Sequence, residues 1–124
     1  MGQKKKGTMG VFDVFFNQNN DINHVDPATF SKMISDEPDA VILDVRTKDE
    51  YSSFRIPKSV VIDIYNSDFF NKIDQLDRSK TYLVYCASGS RSVSACKQMK
   101  KMGFEKVYNL KTGILGWRGE IEQG

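Results

Sequence analysis

Apolar residues in this chain fall into short unbroken runs, and the segments between those runs repeat with a helical period. Tyr82 to Tyr85 is apolar and aromatic at every position, and Ala40 to Val45 is interrupted only by Asp44. Runs of this length without alternation predict strands buried on both faces of a parallel sheet. Ile22 to Val25, Val60 to Ile64 and Lys106 to Leu110 predict three more strands. Between the strands, Asp26-Pro27 reads as an N-cap and first turn, with Phe30, Met33 and Ile34 on one helical face. Asp49 to Phe54 predicts a short helix, and Phe69, Phe70, Ile73 and Leu76 predict another. From Arg91 onward Val93, Ala95, Cys96, Met99 and Met102 recur at helical spacing until Gly103, a helix-ending residue. Gly113 to Arg118 predicts a short terminal helix. Strands alternating with helices predict an α/β fold, a three-layer α/β/α arrangement with a five-stranded parallel sheet. Its ligand site should lie beyond the carboxyl ends of the strands. Cys86 and Asp44-Val45-Arg46 both fall at such ends.

One end of the chain does not follow this pattern. Residues 1–20 carry Lys4-Lys5-Lys6 and then Val11-Phe12-Asp13-Val14-Phe15-Phe16, and Asn17 to Asn23 is polar without periodicity. They are expected to be an extension, flexible or docked through its phenylalanines, ahead of one domain over residues 21–124. The apolar run is too short and interrupted for a signal peptide. Gly2 lacks the Ser or Thr that myristoylation needs at position six, where Lys6 stands. A basic stretch beside aromatics could instead touch an anionic membrane surface.

Composition narrows the class. A 124-residue chain with 40% hydrophobic and 27% charged residues suits one soluble globular domain. A formal charge of +2 argues for no nucleic-acid partner. No run of about 18 apolar residues is available for a transmembrane helix. Two cysteines and one histidine make a zinc site improbable, so no metal and no cofactor are expected. Cys86 and Cys96 sit ten residues apart with the second on a rigid helix, too far for a disulfide. Free thiols fit a reducing, cytoplasmic compartment, and a monomer is expected.

Chemistry concentrates at Cys86-Ala87-Ser88-Gly89-Ser90-Arg91. Here a buried strand ends, a small-residue loop turns, and a helix begins, with a serine expected as its N-cap. A helix N-terminus offers unpaired N–H groups and partial positive charge, and a curled loop adds more. A thiolate at the centre of such a nest is stabilised, so Cys86 is the candidate nucleophile. Ala87, Ser88, Gly89, Ser90 and Arg91 are the candidate substrate-binding residues, with Arg91 a potential source of fixed positive charge. A buried structural cysteine is the alternative.

The string Cys86-Ala87-Ser88-Gly89-Ser90-Arg91 resembles the C-x-x-G-x-R active loop of single-domain rhodaneses. Leu43-Asp44-Val45-Arg46-Thr47-Lys48-Asp49-Glu50-Tyr51 resembles the family's L-D-V-R-x-x-x-E-Y segment, followed by Arg55-Ile56-Pro57 in place of H-I-P. Asn109-Leu110-Lys111-Thr112-Gly113-Ile114-Leu115-Gly116-Trp117 resembles N-L-x-G-G-x-x-x-W. The resemblance implies a rhodanese-like fold and a sulfurtransferase. Cys86 would take a sulfane sulfur from thiosulfate, a polysulfide or a low-molecular-weight persulfide. The resulting persulfide would pass its sulfur to cyanide, a thiol or a protein acceptor, with no cofactor. Cell-cycle phosphatases of the same fold have a loop one residue longer. Four residues separate Cys86 from Arg91 here, which ranks phosphatase or arsenate reductase chemistry below sulfur transfer. A sulfur carrier or regulatory binding module with little turnover is the rival from another class.

Around the loop, Asp44, Arg46, Arg55 and Trp117 are candidates to support it from behind. Asp44 or Arg46 could lie near the sulfur. Alternatively Arg46 and Glu50, four apart at a helix start, form a local ion pair. Trp117 could rim the pocket or simply pack in the core, and Cys96 reads as core rather than as a resolving thiol. His24 is not expected to act as a base. Phe54-Arg55-Ile56-Pro57-Lys58-Ser59 departs from the family's G-H-I-P-G-A, and Arg55 and Lys58 could favour an anionic donor. Ala87 stands where dedicated thiosulfate enzymes carry arginine, which weakens the case for thiosulfate.

Overall fold

A computed structural model of the chain describes residues 22–124, and the readings made for residues 1–20 lie outside them. The five expected strands form one parallel sheet. They are β1 (Asn23–Val25), β2 (Val41–Asp44), β4 (Val60–Val61), β5 (Tyr82–Tyr85) and β6 (Val107–Leu110). Their order is β1-β6-β5-β2-β4, which puts β5 in the middle. Its unbroken apolar run is explained by burial on both sides. Tyr82 and Val84 pack with Phe69 and Ile73 of α3 (Phe69–Asp74) and with Ala95, Cys96 and Met99 of α4 (Ser90–Lys101). Leu83 and Tyr85 face the other way, toward Phe30 of α1 (Pro27–Asp36) and Ile56. Helices therefore cover both faces, giving the three layers expected.

Local chemistry sets where the helices begin. Asp26 caps α1 by accepting from the Thr29 N–H at 2.8 Å, with Pro27 in the first turn. Helix α2 (Lys48–Ser53) opens on a capping box: Thr47 Oγ1 accepts from Glu50 N at 3.2 Å, and Glu50 Oε1 accepts from Thr47 N at 3.0 Å.

Some boundaries differ from expectation. Helix α2 stops at Ser53, because Phe54 turns to extended backbone and enters β3 (Phe54–Arg55). This strand pairs antiparallel with β7 (Glu122–Gln123), a two-residue partnership too short to leave a pattern in sequence. Strand β4 ends at Val61 rather than Ile64, although Ile62 and Ile64 still donate to Asp44 and Val45 of the next strand's line. The terminal helix is a single 3-10 turn, Ile114–Gly116. Helix α4 starts at Ser90, and its N-cap is Gly89 with φ 102°, not a serine. Only a left-handed residue lets the chain reverse tightly enough there to bring the loop around Cys86.

The departure at Phe54-Arg55-Ile56-Pro57-Lys58-Ser59 has a clear backbone consequence. Lys58 has φ 69°, the one non-glycine residue with positive φ among the described residues. Pro57 precedes it and Ser59 N donates to Ile56 O at 3.2 Å, so the turn is the type that wants glycine at its third position. Lysine holds that conformation at a steric cost of about 1 kcal/mol. The Lys58 side chain is exposed, so little packing depends on it. We expect Lys58→Gly to leave stability unchanged or raise it by up to about 1 kcal/mol, whereas a β-branched residue there should lower it. Urea midpoints of the two variants check the ordering.

Candidate active site

Strand β5 delivers Cys86 to the carboxyl edge of the sheet, and α4 begins four residues later. The intervening loop curls around the sulfur. Gly89 N donates to Cys86 Sγ at 3.1 Å, Ser92 N at 3.3 Å and Ser92 Oγ at 3.3 Å, and Ser88 N also faces it. The outer side of the loop is held by the segment after β6. Ile114 N donates to Cys86 O at 2.9 Å and Leu115 N to Ala87 O at 3.1 Å. With these carbonyls turned outward, the amides that follow turn inward.

The loop has no room for added carbon at two points. A Cβ on Gly89 would collide with the Lys111 carbonyl oxygen, and one on Gly113 with the Ala87 carbonyl. Both glycines also have positive φ. They let the β6 exit run flush against the loop.

Burial and hydrogen bonding oppose each other at the thiol. Cys86 is fully buried, which disfavours the thiolate. Donation from the Ser92 hydroxyl, and from the amides of Ser92, Gly89 and Ser88, outweighs that penalty and leaves the thiol below its ordinary value. Cys96 is the internal contrast: buried in the core, it is pushed up to about 12 by burial. Both thiols are free.

Arg91 and Glu50 form a bidentate pair across the mouth of the loop. Arg91 Nη1 and Nη2 donate to the two Glu50 carboxylate oxygens at 2.8 and 2.9 Å. The guanidinium pulls the Glu50 carboxyl down to about 2, with Thr47 helping and burial opposing. This replaces the local Arg46–Glu50 pair expected from four-residue spacing. Arg46 precedes the helix and turns into the interior instead. There it binds the Asp44 carboxylate at 2.7 to 3.1 Å and the Phe54 carbonyl at 2.7 Å, between the rings of Phe54 and Tyr85. Burial works against the Arg46 charge, but Asp44 outweighs it.

The candidate supporting residues take the following positions. Asp44 and Arg46 reach Tyr85, the residue before Cys86, and with it pin the 54–59 segment: Ile56 N donates to Tyr85 Oη at 3.1 Å. Arg55 is engaged by the C-terminal strand, 3.3 Å from Glu122 and 3.2 Å from the Gly124 carbonyl. Trp117 packs edge-to-face on Phe30, 5.8 Å between ring centres, and its Nε1 donates to Glu120 O, so it belongs to the α1 face of the core. Ala87 is partly exposed, and Ser88 and Ser90 line the outer, exposed side of the loop. His24 pairs with Asn109.

Ser92 is the member of the site that sequence reasoning missed. It lies in the first turn of α4, where a helix N-terminus presents side chain and amide to the same anion. That position, one residue past the arginine, was the available signal. Among the described residues no group of acidic, histidine or cysteine side chains could hold a metal ion, and no helix is long and apolar enough to cross a membrane.

Two outcomes follow from these contacts. The rate of Cys86 alkylation by iodoacetamide should reach half its maximum below the pH of about 8.5 typical of a free cysteine. Ser92→Ala should move that midpoint upward; an unmoved midpoint would assign the depression to the amides alone. Glu50→Gln should lower thermal stability near neutrality. A depressed carboxyl contributes stability that is complete above its ordinary value of 4.5 and is lost as pH falls through about 2. The melting-temperature gap to wild type should therefore shrink over that interval, and a constant gap would mean that charge is not what closes the latch.

Comparison with known proteins identifies the family. Residues 26–120 match the rhodanese-like domain family. A putative sulfurtransferase of Bacillus subtilis, YtwF, is 32% identical over 102 residues, covering 82% of this chain and 96% of that one. The tRNA uridine(34) hydroxylase of Cytophaga hutchinsonii is 40% identical over 104 residues, 82% of this chain, but the match spans only 32% of that longer protein. Among solved structures, a rhodanese-related protein from Thermoplasma volcanium superimposes with a TM-score of 0.72 at 27% identity, covering 82% of this chain and 99% of that one. The chain belongs to the rhodanese-like domain family, and a relative in Allochromatium vinosum, 27% identical over 96 residues, is named a sulfurtransferase.

Proposed function

We propose that this chain is a sulfurtransferase that carries sulfane sulfur on Cys86 as a persulfide. The observation that carries the reading is the set of donors on one sulfur: Gly89 N at 3.1 Å, with Ser92 N and Oγ at 3.3 Å. These are neutral dipoles fixed before reaction, so they favour an anionic sulfur without reorganising. The relative YtwF, matched over nearly its full length, is named as a putative sulfurtransferase, which supports the same chemistry.

In the first half-reaction the Cys86 thiolate attacks the outer sulfur of the donor. With thiosulfate, the new S–S bond forms as the donor S–S bond breaks, and sulfite leaves with the bonding pair. In the second, an acceptor attacks the terminal sulfur of the persulfide. Cyanide leaves as thiocyanate and a thiolate as a persulfide, and Cys86 returns as the thiolate. This is covalent ping-pong catalysis, and an already ionised thiol needs no general base. Asp44 and Arg46 serve the reaction only through architecture, by fixing the residue before Cys86.

Intact mass after brief incubation with thiosulfate, and separately with glutathione persulfide, tests the proposal. A gain of one sulfur atom, reversed by cyanide and absent in Cys86→Ser, is expected. No gain from either donor while Cys86 is still alkylated would overturn it and favour a binding module.

A further inference from the structure

Two side chains beside the active loop are unusual for their exposure. Leu115 is 72% and Tyr65 71% exposed, the highest values among the described large hydrophobic residues. Neither belongs to a core cluster, although of the residues before them Ile114 belongs to one and Ile64 packs against the other. Folding leaves both in water.

Both are nonetheless fixed at the loop. Leu115 N donates to the Ala87 carbonyl at 3.1 Å. Tyr65 stacks under Arg91, whose guanidinium carbon is 5.8 Å from the ring centre. Tyr65 N is itself held by Asp63 Oδ1 at 2.8 Å. Leu115 follows β6 and Tyr65 follows β4, strands on opposite sides of β5 in the sheet order. The two apolar side chains thus approach the Cys86 loop from its two flanks, at the carboxyl edge of the sheet.

Two of the arginines near this end are already engaged. Both terminal nitrogens of Arg91 bind Glu50. Arg55 is paired with Glu122 in the C-terminal strand. Lys58 lines a surface cavity with Val41 and Val60, the first residues of their strands, so it sits at the opposite end of the sheet. Arg91, Arg55 and Lys58 are therefore compensated or elsewhere, and Lys111, beside Gly89, acts on the Asp26 carboxylate.

We infer that Tyr65 and Leu115 form an apolar rim that selects sulfur donors and acceptors with an apolar or aromatic body over bare inorganic ions. This inference rests on the sulfur-transfer reading and adds the substrate class. An aryl or alkyl sulfur compound meets the description, and so does a cysteine between apolar residues in a partner protein. The chemistry shared by both is an apolar group within reach of the transferred sulfur. The rim residues touch the body of the substrate and not the reacting atoms, so they are specificity residues.

A pair of donors with one reacting group and different bodies isolates the effect. Benzenethiosulfonate and methanethiosulfonate each transfer their terminal sulfur to the Cys86 thiolate. The new S–S bond forms, the old one breaks, and the sulfinate leaves with the electron pair. Each reactant bears one negative charge, as does each product. The measured quantity is the ratio of kcat/KM for the aryl donor to that for the methyl donor, with cyanide as acceptor. Taking this ratio between variant and wild type cancels the intrinsic reactivity of the two compounds.

In Tyr65→Ser/Leu115→Ser the ratio is expected to fall about fivefold or more, the size of a lost aromatic and apolar contact. Tyr65→Phe with Leu115→Met, which keeps both apolar surfaces, should retain the wild-type ratio. If the serine variant slows both donors equally, or neither, the rim does not select and the inference is overturned. A wild-type protein that takes sulfur from none of these donors, while Cys86 is still alkylated, overturns the sulfur-transfer reading itself. The source of the body is separated by acceptor peptides, Leu-Cys-Phe against Gly-Cys-Gly. A preference for the first that disappears with the serine variant points to a protein partner. Peptide rates that do not differ, alongside a fallen donor ratio, point to a small organic sulfur compound.

Discussion

The active loop depends on where its carbonyl groups go. Four residues between a strand and a helix cannot satisfy their backbone polar groups among themselves. Here the carbonyls of Cys86 and Ala87 are taken by the amides of Ile114 and Leu115. The amides of Ser88, Gly89 and Ser92 are thereby left for the sulfur. This is possible only because Gly113 and Gly89 have no side chain where the two segments touch. The segment after β6, sixty-odd positions from Glu50 in sequence, is thus as much a part of the anion nest as the loop itself. Glu50 closes the remaining side through Arg91.

The chain contains its own control for what the nest does. Cys86 and Cys96 are both buried, and burial alone raises a thiol. Cys96 has no comparable set of donors among its described contacts and sits at about 12, whereas Cys86 lies below its ordinary value. Hydrogen bonding is what Cys86 has and Cys96 lacks, and Cys96 also lies deeper in the core. The Arg91 guanidinium is shared with the Glu50 carboxylate at 2.8 and 2.9 Å. Arg91, expected as a source of fixed positive charge, is braced by Glu50.

What was legible in the sequence follows from range. Strands with both faces covered must be apolar throughout, so the five strands and their alternation with helices could be read directly. The strand–loop–helix context of Cys86 was local as well. Contacts between distant segments were not readable in the same way. Arg46 and Glu50 have ideal spacing for a helical pair, but Arg46 lies ahead of the Thr47 cap, outside the helix where that spacing applies. Asp44 was two residues away and took it. Glu50 then found a partner forty-one residues later. The serine cap failed for a different reason: serine is the better capping side chain, but the reversal at Gly89 requires φ 102°. Ser92 escaped because a helical periodicity reading treats it as a polar position, without asking what the first turn faces. The β3–β7 pair, with two residues on each side, lies below any usable period.

Neutral stabilisation also bears on what the loop can hold. A site that fixes an anion by paired charges attracts any anion of the right size and loses affinity as salt rises. A site built from inward amides with a compensated arginine gains little from long-range attraction and depends on close approach of one atom to several donors. A single sulfur meets that demand, since its whole charge sits on the atom the amides address. A tetrahedral oxyanion spreads its charge over several oxygens and needs a ring large enough to surround them. With the carbonyls of Cys86 and Ala87 tied back and Gly89 flush against Lys111, the ring has no slack to widen. The same packing that turns the amides inward therefore supports the proposed sulfur chemistry over phosphate transfer, and the compactness of the loop and its neutrality are two consequences of one arrangement of the backbone.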